Sequence, residues 1–382
     1  MKRFIFILMI VLLLPIQVQA LEDTNTNQSD DKQVESLYNY ISNMKTDSEI
    51  LKDLNAKDYV KEYMKSGDGK FSFKKIVNAV ISYSLKEIST SFKLMAEMLI
   101  IAIVCALLNN LQRAFSSDEL SNIAYFACYA LLIVIISKSF YVAVGLAKDT
   151  ISEMTNFMAA LIPVLMALLA SVGGFTEATV MDPIIIGTIN LNARIYVNII
   201  IPLILIGFVL QFVNSISDEY KISNLTKLIN QVAIWAQGII MTIFIGVVTI
   251  RGITSKTIDQ VTVKTAKYAV DNFVPIVGKC LSDAISTVAG YSLLLKNSLS
   301  GLGLVIILFL VLYPVVKLII MSLTFKLTAA LIEPVSDKKL VNCISSVGNS
   351  ITLIMSCVIS VSIMFFIMIA IIASAGKMAI GG

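Results

Sequence analysis

From Leu94 to the C-terminus the chain runs as one apolar stretch after another, and the segment before it is shorter and rich in charge. A bilayer accepts a spanning chain only where every backbone polar group is bonded internally, so stretches of this length predict transmembrane helices. They fall at 94–112, 123–144, 154–172, 184–213, 232–250, 299–321 and 351–374. The fourth is too long for one straight helix across a hydrocarbon core of roughly 30 Å. It also carries Asn190, Asn192, Arg194, Asn198 and Pro202, which predicts a tilted or broken span, or a re-entrant piece followed by a span. The fold class is all-α: a polytopic helical membrane protein with about seven transmembrane helices and further amphipathic helices that are interfacial or re-entrant.

The segment ahead of the spans divides by pattern. Lys2 and Arg3 precede an apolar run from Phe4 to Ile16, and Val18-Gln19-Ala20 fits the small-x-small rule, so residues 1–20 read as a signal peptide cleaved after Ala20. An uncleaved signal anchor is the alternative, and both place residues 21–93 outside the cytoplasm. Residues 21–33 are polar and predict disorder. Val34, Leu37, Ile41 and Met44 then recur at helical spacing. Leu51, Leu54, Val60, Tyr63 and Met64 suggest a second helix that stops at Gly67, in the turn Ser66-Gly67-Asp68-Gly69. Between Phe71 and Ile88, apolar Phe73, Ile76, Val80 and Leu85 alternate with Lys74, Lys75 and Lys86, an amphipathic helix lying flat at the headgroups or packed in a small exported domain. The domains are therefore 1–20, 21–93 and a transmembrane domain 94–382. With residue 93 outside and seven spans the C-terminus falls inside, although lysines and arginines divide too evenly between the loops to fix the orientation.

Two connections, 257–292 and 326–348, mix apolar residues with lysines. Lys267 precedes Pro275 by eight residues, as Lys326 precedes Pro334. The match continues at Lys279/Lys338, Leu281/Leu340, Ile285/Ile344, Ser286/Ser345 and Val288/Val347, an interval of 59 residues. The pattern predicts either a repeated amphipathic, interfacial or re-entrant hairpin or a chance likeness within Ile/Val/Ser-rich sequence.

Composition narrows the chemistry. Of 382 residues, 57% are hydrophobic. Residues 21–93 carry 12 acidic and 11 basic side chains, whereas the four-times-longer remainder carries 14 and 17. The net charge of +4 is modest, and no nucleic-acid motif is present. There is no histidine, which removes histidine metal ligands, histidine bases and Ser-His or Cys-His pairs together. The five cysteines, Cys105, Cys128, Cys280, Cys343 and Cys357, all lie outside the exported segment, and no Cys-x-x-Cys occurs. No phosphate-binding Gly-x-x-x-x-Gly-Lys motif exists, so energy coupling falls to a gradient or a partner. No cofactor is implied.

Ionisable groups at membrane depth are expensive and so mark candidate sites. Arg194 leads them, because a guanidinium stays charged and needs a carboxylate, carbonyls or water. With Asn190, Asn192 and Asn198 it is a candidate intramembrane polar path; otherwise it sits at an interface where the long segment breaks. Glu97 pairs with Arg194 or Lys93, or reaches the outer interface. Lys317 is expected to snorkel from near a span end, Lys296 to lie outside a span, and Lys148-Asp149 with Glu153 to form a solvated turn. Gly173-Gly174 marks a helix stop, and Pro163, Pro202 and Pro314 mark kinks within spans.

Several blocks resemble one family. Phe140–Ile151 (FYVAVGLAKDTI), Phe157–Pro163 (FMAALIP) and Ala170–Gly174 (ASVGG), with Val263–Tyr268 (VKTAKY), Asn272–Gly278 (NFVPIVG) and Ser292–Asn297 (SLLLKN), resemble the stage III sporulation protein AE family of endospore-forming bacteria. The likeness covers roughly Phe71 to the C-terminus. It implies a non-enzymatic membrane subunit of an eight-member assembly in the mother-cell membrane around the forespore. Sister stage III sporulation membrane proteins, among them a secretion-type ATPase, and a forespore membrane protein would be its partners. Together they would form a secretion-like channel needed for late forespore gene expression. The family implies no catalytic residues. The residues alone leave open an autonomous secondary transporter, motivated by Arg194 and the broken fourth segment, and an intramembrane enzyme, for which Glu97 with Arg194 is the one pair to test.

Overall fold

The computed structural model describes residues 26–47, 56–66, 73–115, 118–172, 186–216, 222–273 and 277–375. Residues 1–20, read as a signal peptide, the turn expected after Ser66, Gly173-Gly174 and Pro275 lie outside the described residues. Among the described residues every regular element is helical: α1 Thr26–Asp47, α2 Ala56–Ser66, α3 Phe73–Phe115, α4 Asp118–Ser171, α5 at 186–216, α6 Ser223–Phe273, α7 Val277–Ile332 and α8 Lys338–Ser374. Six of these, α3 to α8, are long and apolar enough to cross a membrane.

Two sequence boundaries vanish. The windows 123–144 and 154–172 are one 54-residue helix, α4, and Lys148-Asp149 with Glu153 is not a turn. Ala147, Thr150, Ile151 and Met154 are buried while Asp149 and Glu153, four residues apart, share the exposed face. The charges interrupt hydropathy without breaking the 3.6-residue period, and no glycine or proline stops the helix there. Likewise the amphipathic stretch before Ile88 continues into the first span as α3. α7 and α4 continue past Pro314 and Pro163, which lie inside them.

The fourth segment is one helix with a π-helical turn at Tyr196–Ile200. Pro202 has no N–H to give to the Asn198 carbonyl. Just before it the ladder widens, so that the Ile201 N–H bonds to the Tyr196 carbonyl five residues back.

Register follows from the close contacts. Down the α7–α8 hairpin, Lys296 reaches the carbonyls of Ile372–Ala375, Gly303 faces Ile369, and Ser322 donates to the Gly348 carbonyl at 2.8 Å. A Cβ on Gly348 would meet the Ser322 carbonyl at 3.0 Å and Lys326 Cγ at 2.9 Å, so glycine is what lets these helices touch. Thr352 closes the clasp, 2.9 Å from Ser322 Oγ. Leu161 of α4 packs against Gly303, the Phe140 ring stacks on Phe208 of α5 at 3.6 Å, and Gly207 of α5 abuts Asn230 of α6. Consecutive spanning helices thus alternate in direction around a core that includes Phe157, Leu165, Ile204, Phe325, Ile354 and Phe365.

α1 and α2 cover one end of this bundle. Val34, Leu37 and Ile41 are buried, as their spacing predicts. α1 packs on α4, and α2 packs on α7 with the Tyr59 hydroxyl against Gly301. The tyrosines here lose water: burial, then nearby Tyr291, pushes the Tyr38 phenol up to about 12, and burial followed by Glu153 raises Tyr40. The last turn of α8 lies at this same end, held by Lys296. Among the described residues α1, α2 and the last turn of α8 thus share one end of the bundle, and six candidate spans are roughly consistent with the about seven expected. The end of α5 and the starts of α6 and α8 meet at the opposite end.

Candidate functional site

Arg194, Asn190 and Asn198, four residues apart in turn, are exposed along the outer face of α5. The Asn190 amide donates to the Ile186 carbonyl at 3.0 Å. Only Asn192 of the four turns into the bundle, where its Nδ2 has no partner among the described residues. Glu97 is exposed on α3 and does not pair with Arg194. The structure thus sets the sequence candidates on two outer surfaces, with one residue inside.

The groups that do meet are others. Glu87 of α3 and Lys317 of α7 form an ion pair at 3.4 Å, both largely withdrawn from solvent. The Tyr83 hydroxyl donates to Glu87 Oε2 at 3.3 Å, and its ring lies 4.1 Å from that of Tyr313. Lys317 is therefore paired within the bundle rather than snorkelling from a span end. Lys296 is also inside, with no exposed surface. Its ammonium donates to the carbonyls of Ile372 at 3.2 Å, Ala373 at 3.3 Å and Ala375. These carbonyls end α8, where among the described residues only the Ala375 N–H reaches back, to Ile372 at 3.1 Å, so a cation there adds bonds and suits the helix dipole.

A polar seam lies between α5, α6 and α8. Ser356 Oγ donates to Gln237 Oε1 at 3.0 Å, while Gln237 Nε2 has no partner among the described residues. Tyr196, on the π-turn, is fully buried beside Cys357 and Ser360. At the opposite end from α1 and α2 the same three helices enclose a cavity of about 450 Å³, lined among others by Gln211, Lys227, Asn230, Lys339, Asn342 and Asn349. In the sequence Lys227 and Lys339 fall between the apolar windows. Their convergence depends on α6 and α8 starting side by side, which no local pattern encodes. Glu87 and Lys296 were hidden for another reason: each stood just outside a hydropathy window, though both lie within continuous helices.

Among the described residues no three histidine, cysteine or acidic side chains converge to hold a metal ion. Cys105, Cys343 and Cys357 are buried cysteines.

Comparison with known proteins places the chain. The family model for stage III sporulation protein AE matches residues 54–376, from just before α2 to the end of α8. Stage III sporulation protein AE of Bacillus subtilis (strain 168) is 34% identical over 313 residues, covering 82% of this chain and 78% of the relative. No solved structure matches. The match takes in every spanning helix, α2 and both stretches of the 59-residue interval, and the chain belongs to the stage III sporulation protein AE family, multi-pass membrane proteins of sporulation.

Proposed function

We propose that this protein is a membrane subunit of a secretion-like channel complex that links mother cell and forespore, set in the mother-cell membrane with α1 and α2 on the extracytoplasmic side. The observation that carries the choice of subunit over autonomous transporter is the Asn190–Arg194–Asn198 stripe, exposed on the outside of α5. A guanidinium facing hydrocarbon costs about 2.5–3.5 kcal/mol at mid-bilayer, so a covering protein surface is the economical solution. A transporter would turn the same residues inward to line a path. Family membership supports the sporulation role, and the absence of a nucleotide-binding motif from the sequence fits reliance on a partner ATPase.

The test is affinity purification of the tagged protein from sporulating cells under mild detergent and crosslinking. Sister sporulation membrane proteins and the secretion-type ATPase should copurify, and Arg194→Leu should weaken that recovery. Recovery of the protein alone, together with substrate flux in liposomes holding only this chain, would replace the proposal with the transporter reading.

A further inference from the structure

Two outer faces of the bundle carry opposite charge. Arg194 is exposed on α5 between Asn190 and Asn198, and it makes no hydrogen bond or ion pair among the described residues. Asp149 is exposed on α4 with Ser152 and Glu153, and Glu153 lies beside Tyr40 of α1. Lys148 is half-buried and sits about 100° round the helix from Asp149. Both Arg194 and Asp149 fall inside candidate spans, Ile186–Val213 and Tyr129–Ser171. A charge that faces hydrocarbon is costly, and two of opposite sign relieve that cost together when they meet.

Register puts the two charges at one level. Leu161 of α4 packs against Gly303, which faces Ile369 of α8, and α4 and α8 run in the same direction. Asp149 precedes Leu161 by as many residues as Cys357 precedes Ile369, so Asp149 and Cys357 are level. Tyr196 of α5 lies beside Cys357, and Arg194 is within a turn of Tyr196. The two faces also adjoin, because the Phe140 ring of α4 stacks on Phe208 of α5. Toward that stack both turn apolar: Tyr141 and Val142 on α4 and Leu205 and Ile206 on α5 are exposed. Charge gives way to apolar surface at matching levels on the two helices.

We propose that a second copy of this chain docks on these faces, with Arg194 of each copy paired to Asp149 of the other. This contact rests on the reading that protein covers the Arg194 stripe, and it names the covering protein. A twofold axis along the bundle keeps every residue at its own level, so groups that are level within one copy meet across the axis, and each pair forms twice. Tyr141 and Val142 of one copy then lie against Leu205 and Ile206 of the other. Gly145, one turn before Asp149, has nothing within 4 Å of the place a Cβ would take, which lets the second copy approach closely.

The experiment uses the full-length protein, carrying a donor or an acceptor dye on a C-terminal tag, in phosphatidylglycerol–phosphatidylethanolamine liposomes. Energy transfer is followed as added lipid dilutes the protein. Wild type is expected to self-associate. Arg194→Glu and Asp149→Arg should each weaken association about tenfold or more by setting like charges together. The double variant restores opposite charges and should return to within about threefold of wild type. Should the charge variants fail to fold, Gly145→Leu serves instead: its side chain starts in open space within its own copy, and it obstructs the other copy with every charge kept.

No transfer in wild type, or equal transfer in all four proteins, overturns the proposal. If sister sporulation proteins still copurify with wild type, that result leaves the subunit reading standing and assigns the Arg194 stripe to one of them. Self-association that follows the charge swap supports the contact, and it does so even where the protein is recovered alone, a result that counts against the subunit reading only.

Discussion

Lys296→Met tests whether a buried cation, rather than packing alone, holds the end of the bundle. The ammonium makes three bonds to the carbonyls that close α8. A hydrogen bond to a charged group contributes about 1.5–3 kcal/mol, but withdrawing the ammonium from water costs several kcal/mol, so the three leave a net of about 2 kcal/mol. Methionine has nearly the same length and no donor, and it leaves the Ile372 and Ala375 carbonyls, on residues with 2% and 1% exposure, without that partner. The loss should be local, because Ile354, Val358 and Met364 anchor the rest of α8 in the core. A cysteine placed at Ala375 reports it through its rate of thiol labelling in detergent, after subtraction of the native thiols. About 2 kcal/mol of easier opening is about a thirtyfold faster rate. Lys138→Met, which removes an exposed lysine on α4, should leave the rate alone. An unchanged rate and unchanged thermal unfolding in Lys296→Met would refute the reasoning and leave apolar packing as the whole explanation.

Three other outcomes follow. Gly348→Ala should destabilise the protein by about 1–3 kcal/mol in thermal unfolding, since its Cβ meets the Ser322 carbonyl, whereas Gly246→Ala, with open space around it, should be neutral or slightly stabilising. Glu87→Gln or Lys317→Met alone should cost about 2–3 kcal/mol by leaving one charge unpaired, and the double variant should recover most of it; simple additivity in the cycle would remove the pair from the account. The Tyr38 phenol is raised to about 12 from an unfolded value near 10, so the folded state holds its proton longer and α1 docking is fully stable below pH 10 and weakens between pH 10 and 12; proteolysis of α1 across that range should accelerate, and Tyr38→Phe should flatten the dependence.

The all-helical fold and the membrane class were legible because lipid exposure demands long apolar helices, and α1 was legible in Val34, Leu37 and Ile41. Span number was legible roughly, as about seven against six candidates among the described residues, but the boundaries between spans were not. A window of mean hydropathy treats Lys148, Asp149 and Glu153 as an interruption, while helix geometry accommodates them on one outer face with Ala147, Ile151 and Met154 beneath. The polar contacts were less legible still. Lys296 and Ile372 are 76 residues apart, and Glu87 and Lys317 lie on helices far apart in sequence. Each residue type is visible alone, but its partner is set by the register of packed helices. Arg194 shows the converse: its place in the fourth apolar segment was readable, but its outward direction on α5 was not.

The 59-residue interval acquires a physical reading in the structure. α6 ends at Phe273 and α7 at Ile332, and the difference of those numbers is the interval itself. Pro275 and Pro334 each follow a helix end by two residues, where a proline terminates a helix because it cannot extend the ladder. The matched stretches thus take in the end of α6 with the start of α7, and the end of α7 with the start of α8. In the second, Leu340, Ile344 and Val347 are buried, so the matched apolar positions are those that seat α8 against the bundle. The spacing between joins sets the length of α7: 56 residues rising about 1.5 Å each give about 84 Å, nearly three times a hydrocarbon core of roughly 30 Å. α4 and α6, at 54 and 51 residues, are built to the same measure. Helices of that length must project beyond the bilayer, and α1 and α2 pack onto α4 and α7 at the end beside the α8 terminus.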